Sequence, residues 1–497
     1  MLTRMLGFFF RIFLSRTIGA EALGMYQVAL SVFMVLLTIV SSGFTLIISR
    51  MTANYRVKSD KKAMGSLVTT GMFVGLAVSI FLCLVILLFR NLFKNLFTDE
   101  NCIYILIILL PSLIFSAIYC VFRGAMWGND NYFGLCVSEL LEQVVKIVIC
   151  VLLLASGMTA LQSAMSVAWS FTLSCLVSAF FVMLLYFLYG GKMNKPTRIY
   201  KNIISQSAPI TGVRVVGSFA APLIALILPA RLMACGYTST QAMSLYGVAI
   251  GMAFPFLYVA TSLIGSLSTA LVPDISMALV QNDNDYVEKR VKSSILFALL
   301  VSFLIAPIFI AIGDKFGTFI YGEPLSGTIL QYSAWIMIPI GVTNITSAIL
   351  NSMGLEVKSF INYLIGGIFM FLSVLILPQF IGINALIVAM GSSTVISSIL
   401  NIRMIEKKLK IKVHNIKNLL LLIVLSLPTI AITSFVSSLL GHFLPTIFDL
   451  TISTLIGMAV FTILCVVFNV VNFSFYFTKF KEKFEKKKNK SKKLAKS

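Results

Sequence analysis

The chain contains 497 residues with a formal net charge of +21; 59% of the residues are hydrophobic and only 11% are charged. Soluble domains carry about 25% charged residues, so this composition excludes an ordinary water-soluble protein. Within hydrocarbon every backbone N–H and C=O must be paired internally, so only helices or closed barrels span a membrane. The apolar runs, such as 106–122 and 419–440, lack the alternation of barrel strands. The composition therefore predicts an all-α integral membrane protein.

Apolar stretches bounded by charged residues, glycine or proline predict about fourteen transmembrane helices, since a span requires roughly 20 apolar residues. In chain order they cover residues 2–16, 25–48, 65–89, 102–122, 133–155, 161–188, 204–229, 244–271, 293–312, 328–350, 359–377, 381–402, 417–440 and 450–473. No cleavable signal peptide is predicted, because the first stretch carries three arginines and lacks a small-residue cleavage site.

The distribution of basic residues predicts the orientation of these helices. With a cytoplasmic N-terminus, the even-numbered connections and the tail contain 30 of the 39 Lys and Arg residues, whereas the odd-numbered connections contain 5. Cytoplasmic loops carry such an excess, so both termini are predicted to lie in the cytoplasm and the protein in the cell membrane. The basic tail at 479–497 is then a solvated segment near anionic lipid, and nucleic acid is not an expected partner.

Two cofactor classes find no support in the sequence. The two histidines and eight scattered cysteines form no metal-ligand constellation, and no phosphate-binding GxxxxGK[ST] loop occurs. No segment outside the membrane is long enough for a catalytic domain. We therefore expect a transporter without a cofactor, rather than an enzyme, driven by an ion gradient such as H⁺ or Na⁺, by the membrane potential or by the substrate gradient.

Weak internal similarity divides the chain. MYQVALSVF (25–33) recurs in outline as LYGVAIGMA (245–253), and RGAMWGNDNYF (123–133) resembles LNSMGLEVKSF (350–360). Because the order and spacing agree, we predict two pseudo-symmetric six-helix bundles related by an axis along the membrane normal. The predicted domains are an N-terminal bundle, a C-terminal bundle, two additional transmembrane helices and the tail, at 1–190, 191–403, 404–478 and 479–497.

Charged residues inside spans are informative because each costs roughly 2.5–3.5 kcal/mol at a helix centre. In the fifth span, Glu139, Glu142, Gln143 and Lys146 fall on one helical face opposite an apolar face. One interpretation is an internal Glu–Lys pair that holds helices together. The other is the lining of a wet cavity, with a carboxylate that takes up a proton or cation.

The leading helix of each predicted bundle carries an arginine. Arg4, Arg11 and Ser15 share one face of the first span, and Arg214 shares a face of the seventh span with three hydroxyl-bearing residues. Guanidinium groups suit bidentate contact with phosphate, so these helices would suit an anionic headgroup. Alternatively, Arg11 pairs with a glutamate of the fifth span, and Arg4 extends to the cytoplasmic surface.

Several motifs resemble the stage V sporulation protein B branch of the polysaccharide transporter family. They are LGFFFRIFLSRTIGAEALGMYQ (6–27), SELLEQVVK (138–146), STALVPDIS (268–276), YGEPLSG (321–327) and ITSAILNSMG (345–354). That family belongs to the multidrug/oligosaccharidyl-lipid/polysaccharide exporter superfamily, which includes the lipid II flippases. Members begin further upstream of the first motif, so the first helix here is expected to lack its inner end. Asp274 replaces a smaller residue, and we assign it no role.

The resemblance implies two bundles around a central cavity and flipping of an undecaprenyl-pyrophosphate-linked saccharide by alternating access. Lipid II for spore cortex peptidoglycan is the favoured substrate, and membrane lipid and cell-wall synthesis enzymes are the implied partners. By motif, headgroup binding falls on Arg11, with Arg4 and Arg16 as weaker candidates. The alternatives are a flippase for another polyprenyl-linked polysaccharide, a cation-coupled multidrug exporter, or a membrane scaffold for glycosyltransferases.

Overall fold

The computed structural model describes residues 2–197, 199–281, 283–411, 416–468 and 470, without the side chains of residues 2, 4, 260, 416 and 417. Within these ranges the chain forms helices and turns, and no strand occurs. The predicted fold class, an all-helical membrane protein, is therefore confirmed. The predicted basic tail at 479–497 lies outside the described residues.

We number the α-helices in chain order. The first ten are α1 (Leu2–Val57), α2 (Lys61–Leu88), α3 (Arg90–Leu96), α4 (Cys102–Leu109), α5 (Pro111–Gly128), α6 (Tyr132–Leu153), α7 (Ala160–Leu188), α8 (Tyr200–Ser218), α9 (Ala220–Ala234) and α10 (Ser239–Tyr246). The others are α11 (Phe254–Val280), α12 (Asn284–Tyr321), α13 (Pro324–Ser333), α14 (Met337–Ser352), α15 (Glu356–Ile376), α16 (Pro378–Ile381), α17 (Ala385–Leu409), α18 (Ile416–Leu440) and α19 (Thr446–Val467). A π-helical segment, Gly247–Ala253, joins α10 to α11.

Thirteen helical stretches in the described part of the chain are long and apolar enough to cross a membrane. Helix α1 contains the predicted first and second spans, which meet near Gly19, where φ is 75° and the helix breaks. Helix α6, the predicted fifth span, is not among the thirteen because it carries three charged side chains. The run 239–280 contributes two of the thirteen, where the sequence predicted one span.

The contacts divide the chain into two compact units. The first unit comprises Met1–Phe256, Ile320–Ser326 and Phe360–Ser393, and the second comprises Leu257–Phe319, Gly327–Ser359 and Thr394–Ser497. These units are defined by contacts, not by the internal repeat. The predicted bundles at 1–190 and 191–403 therefore stay a prediction.

Backbone contact joins α1 to the helical run at 239–253 in the first unit. A Cβ atom on Gly24 would lie 2.0 Å from the Met243 carbonyl oxygen, and one on Gly247 would lie 2.0 Å from the Ala20 carbonyl oxygen. Only glycine permits such an approach, because any side chain would collide with the facing backbone. The contact lies at the start of the π-helical segment, and such segments frequently occur at functional sites.

A charged cluster joins α12, α18 and α19 within the second unit. The Lys315 ammonium donates to the Ser437 carbonyl oxygen at 2.8 Å and to an Asp449 carboxylate oxygen at 3.1 Å. The Ser437 and Ser453 hydroxyls also donate to that carboxylate, at 3.1 and 3.0 Å. The Asp449 side chain is 2% exposed and that of Lys315 is 37% exposed, so the carboxylate depends on these donors.

We predict that Asp449→Asn lowers the free energy of unfolding by about 3 kcal/mol, the low end for breaking a buried pair, since Lys315 is partly exposed. Thermal unfolding of the purified protein in detergent measures the change. Asp130→Asn is the matched control, because Asp130 pairs with Arg56 where both side chains are largely exposed. Such surface pairs contribute about 0–1 kcal/mol, so equal losses from both substitutions would contradict the assignment.

Candidate functional site

Arg11 lies midway along the first segment of α1 and is half-buried. It has no hydrogen-bond or ion-pair partner among the described residues. Its guanidinium is close enough to the Tyr26 and Tyr321 phenols and the Lys146 ammonium to interact electrostatically with them. A half-buried guanidinium with unused donors favours an anion as its partner.

The other two candidate arginines of α1 differ from Arg11. Arg16 is exposed, and its Nε donates to the Ile320 carbonyl oxygen at 2.7 Å. This bond holds the side chain against the segment 320–326. Arg4 lies in α1, but its side chain is outside the described residues.

Arg214, the candidate on α8, is exposed and donates to the Ser42 carbonyl oxygen of α1 at 3.3 Å. Among the described residues, no hydrogen bond or ion pair joins it to another arginine or to a carboxylate. The structure thus places Arg214 against α1 but does not bring it into direct contact with Arg11.

Glu139 on α6 pairs with Arg123 at the C-terminal end of α5, at 2.6 Å. The Arg123 guanidinium also lies over the Tyr119 ring, 5.7 Å from its centroid, and its Nε is buried without a hydrogen-bond partner. Both side chains are more than one-third exposed, so the pair contributes little to stability by itself. Sequence reasoning missed Arg123 because it assigned that residue to a connection.

A cavity of about 180 Å³ lies inside the first unit, next to this pair. Its polar lining includes Tyr119, Arg123, Glu142 and Ser178. The Ser178 hydroxyl is buried next to the Glu142 carboxylate. A water takes up about 30 Å³ of liquid and needs polar partners, so a cavity of this size and chemistry suits a few waters.

The remaining polar residues of α6 continue along the same face. Lys146 lies over the Phe171 ring, 5.5 Å from its centroid, and interacts electrostatically with Glu142. No direct ion pair within 4.0 Å joins these two in the described structure. Gln143 is half-buried and makes no described hydrogen bond. Neither glutamate of α6 pairs with Arg11 here, so the alternative pairing is absent from this structure.

Asp274, which has no role that the sequence indicates, makes two contacts in the structure. Its carboxylate accepts from Arg290 at 2.7 Å and from the Tyr286 hydroxyl at 3.1 Å. The three residues fasten the end of α11 to the start of α12. The sequence signal for this ion pair is that Asp274 and Arg290 both lie in the predicted connection 274–292, 16 positions apart.

Metal ligation is not indicated in the described part of the chain. No group of three or more His, Cys, Asp or Glu residues there is placed to hold a metal ion. The prediction that no cofactor is needed remains a prediction.

Comparison with known proteins supplies the family. The model of the family described as "Polysaccharide biosynthesis protein" matches residues 1–278, more than half of the chain. The chain belongs to this family. Stage V sporulation protein B of Bacillus subtilis (strain 168) is 27% identical over 460 residues, which cover 89% of this chain and 88% of that protein. The resemblance predicted from the motifs is confirmed.

Solved structures support the fold. The lipid II flippase MurJ in an inward closed conformation matches with a TM-score of 0.70 and 17% identity, covering 94% of this chain and 97% of that one. An inward-facing multidrug resistance transporter of the MATE family and MOP superfamily matches with a TM-score of 0.68 and 15% identity. The match covers 82% of this chain and 95% of that one. At these identities the likeness concerns the fold alone.

Proposed function

We propose that this chain is a flippase that moves an undecaprenyl-pyrophosphate-linked saccharide across the cytoplasmic membrane by alternating access between two bundles. The observation that carries the proposal is Arg11, a half-buried guanidinium with no carboxylate partner among the described residues. In an apolar environment such a charge is costly unless an anion compensates it. A pyrophosphate offers two negatively charged groups with oxygens that match the guanidinium fork.

Lipid II for spore cortex peptidoglycan is the proposed substrate. Supporting it are the similarity to a stage V sporulation protein and the structural match to a lipid II flippase. A flippase for another polyprenyl-linked polysaccharide is the second candidate, because the pyrophosphate is common to both substrates and the family is described by polysaccharide biosynthesis. In either case the protein acts as a transporter and has the lipid-linked saccharide, membrane lipid and cell-wall synthesis enzymes as partners.

A cation-coupled multidrug exporter fits less well, although a multidrug transporter shares the fold. A site for cationic drugs would place carboxylates and aromatic rings in the cavity. Here Arg11 is a half-buried cation without a partner among the described residues, and it would repel a cationic drug and attract a phosphate.

Glu142 is the proposed point of coupling to a proton or cation. Its carboxylate lines the 180 Å³ cavity beside Tyr119 and Arg123, whereas Glu139 is already paired with Arg123. A carboxylate without a bonded cation can bind a proton or Na⁺, and the nearby Lys146, which interacts electrostatically with Glu142, would respond to the change in charge.

The proposed orientation has both termini in the cytoplasm. It is supported by the excess of Lys and Arg on the even-numbered connections, 30 of 39 with the tail.

For the headgroup site, we predict that Arg11→Ala lowers lipid II translocation about tenfold or more, because charge-assisted hydrogen bonds to the pyrophosphate are lost. Proteoliposomes with labelled lipid II, probed by an external enzyme, measure the rate. Arg214→Ala is expected to lower it as well. Arg56→Ala, at an exposed pair, is the control and should leave the rate unchanged. Unchanged translocation in both Arg11→Ala and Arg214→Ala would overturn the arginine site, and movement only of another polyprenyl-linked saccharide would favour the second candidate.

For coupling, we predict that Glu142→Gln abolishes any dependence of translocation on pH or on Na⁺, because the amide binds neither ion as a carboxylate does. The same proteoliposomes with imposed ion gradients give the measurement. Glu100→Gln serves as the control, since Glu100 is exposed and pairs with Lys94 between α3 and α4. A Glu142→Gln protein that keeps the ion dependence of the unmodified chain would retire the coupling role.

For topology, we predict that a cysteine at Lys195 is protected from a membrane-impermeant maleimide in intact cells, whereas a cysteine at Asn101 is labelled. Both positions are exposed and lie in connections between helices. The exposed cysteines Cys136 and Cys235 are replaced by serine to remove background labelling. The reverse labelling pattern would invert the proposed orientation.

A further inference from the structure

The end of α12 places an aromatic side chain beside the first segment of α1. The Tyr321 ring packs on the Phe256 ring with centroids 5.7 Å apart, and the Phe256 ring packs on that of Phe8 at 5.0 Å. The preceding residue, Ile320, accepts the hydrogen bond from Arg16. Tyr321 is thus held next to the part of α1 that runs from Phe8 to Arg16, which has Arg11 near its middle.

The Tyr321 hydroxyl has no bonded partner in this position. The residue is 2% exposed, and the phenol oxygen is buried without a hydrogen bond to any described residue. Buried polar groups are nearly always satisfied, and each exception calls for an explanation. The ring contacts explain an aromatic side chain here, yet phenylalanine would make them without leaving a hydroxyl unpaired.

The neighbouring charge indicates what would satisfy this hydroxyl. The Tyr321 phenol interacts electrostatically with the Arg11 guanidinium, which also lacks a partner among the described residues. The guanidinium can only donate, the phenol hydroxyl can donate as well, and Lys146 adds a second cation within electrostatic reach of Arg11. A sugar hydroxyl could accept from Tyr321 but would leave the positive charge of Arg11 uncompensated. A phosphate oxygen satisfies both groups together.

We propose that Tyr321 and Arg11 together form a phosphate-binding site, in which the Tyr321 hydroxyl donates to an oxygen of the phosphate group that the Arg11 guanidinium holds. The ligand class is a phosphate or pyrophosphate ester. This inference rests on the proposed flippase function and deepens it, because it assigns a second donor to the headgroup site from a different part of the chain. Tyr321 then contributes to the selection of phosphorylated over unphosphorylated lipids.

The test measures two quantities in the purified full-length protein and its variants: the affinity for each probe and the melting temperature without ligand. The probes are undecaprenyl pyrophosphate, undecaprenol and inorganic pyrophosphate. Tyr321→Phe should weaken binding of undecaprenyl pyrophosphate about tenfold or more, because a hydrogen bond to a charged group is lost. It should leave any binding of undecaprenol unchanged and should not lower the melting temperature of the unliganded protein, since the hydroxyl makes no described bond there.

Tyr186→Phe is the matched control. The Tyr186 hydroxyl donates to the Lys192 carbonyl oxygen at 3.1 Å, so this substitution should lower the melting temperature and leave binding unchanged. If inorganic pyrophosphate competes with undecaprenyl pyrophosphate in the wild type and competes less in Tyr321→Phe, the phosphates alone are recognised. If it does not compete, and lipid binding still depends on Tyr321, the site recognises the lipid-linked headgroup.

Two outcomes would overturn the inference and separate it from the proposed function. In the first, the wild-type protein binds undecaprenyl pyrophosphate and Tyr321→Phe binds it with the same affinity. In the second, Tyr321→Phe loses binding only as far as its melting temperature falls. Either result would make Tyr321 a packing residue and leave the flippase proposal intact. A wild-type protein that binds undecaprenyl pyrophosphate no better than undecaprenol would overturn both.

Discussion

Hydrocarbon solvates neither a charge nor an unpaired peptide group, and this constraint organises the whole molecule. It accounts for a chain whose described ranges contain helices joined by turns and no strands, because only a helix satisfies its own backbone within one segment. It also makes every charged side chain in a span informative. Asp449 meets the constraint with Lys315 and two serine hydroxyls, and Glu139 meets it with Arg123. Arg11 has no such partner among the described residues, and the proposed function therefore assigns it an anionic ligand.

Two kinds of charged site therefore differ in what they do. The Lys315–Asp449 cluster is complete, since its carboxylate accepts from an ammonium and from Ser437 and Ser453. A complete site fixes helices in one arrangement. At the site around Arg11 and Tyr321 neither the guanidinium nor the hydroxyl has a bonded partner among the described residues, and the cavity at Glu142 leaves a carboxylate without a direct ion pair. These two incomplete sites are the ones to which the proposed function assigns anion binding and coupling.

The sequence predicted the helices and their polar faces because hydrophobic length and helical period are local properties. The stripe of Glu139, Glu142 and Lys146 on α6 follows directly from the 3.6-residue repeat. The partners of these residues could not be predicted, since they depend on which helices pack together. Arg123 appeared to belong to a connection, although α5 continues through it to Gly128. Tyr321 opens the motif YGEPLSG (321–327), but the motif does not indicate which residues lie beside its ring, so the sequence assigned Tyr321 no role in a site.

The contact between Gly24 and Gly247 has a consequence for how α1 is held. The two glycines bring the backbones together, and the same approach buries their neighbours, since Leu23 is fully buried and lies against Gly251. Hydrocarbon supplies no hydrophobic drive between helices, so close van der Waals packing of this kind is what holds them. A single methyl group on either glycine would push the two backbones apart and loosen the packing of Leu23 as well.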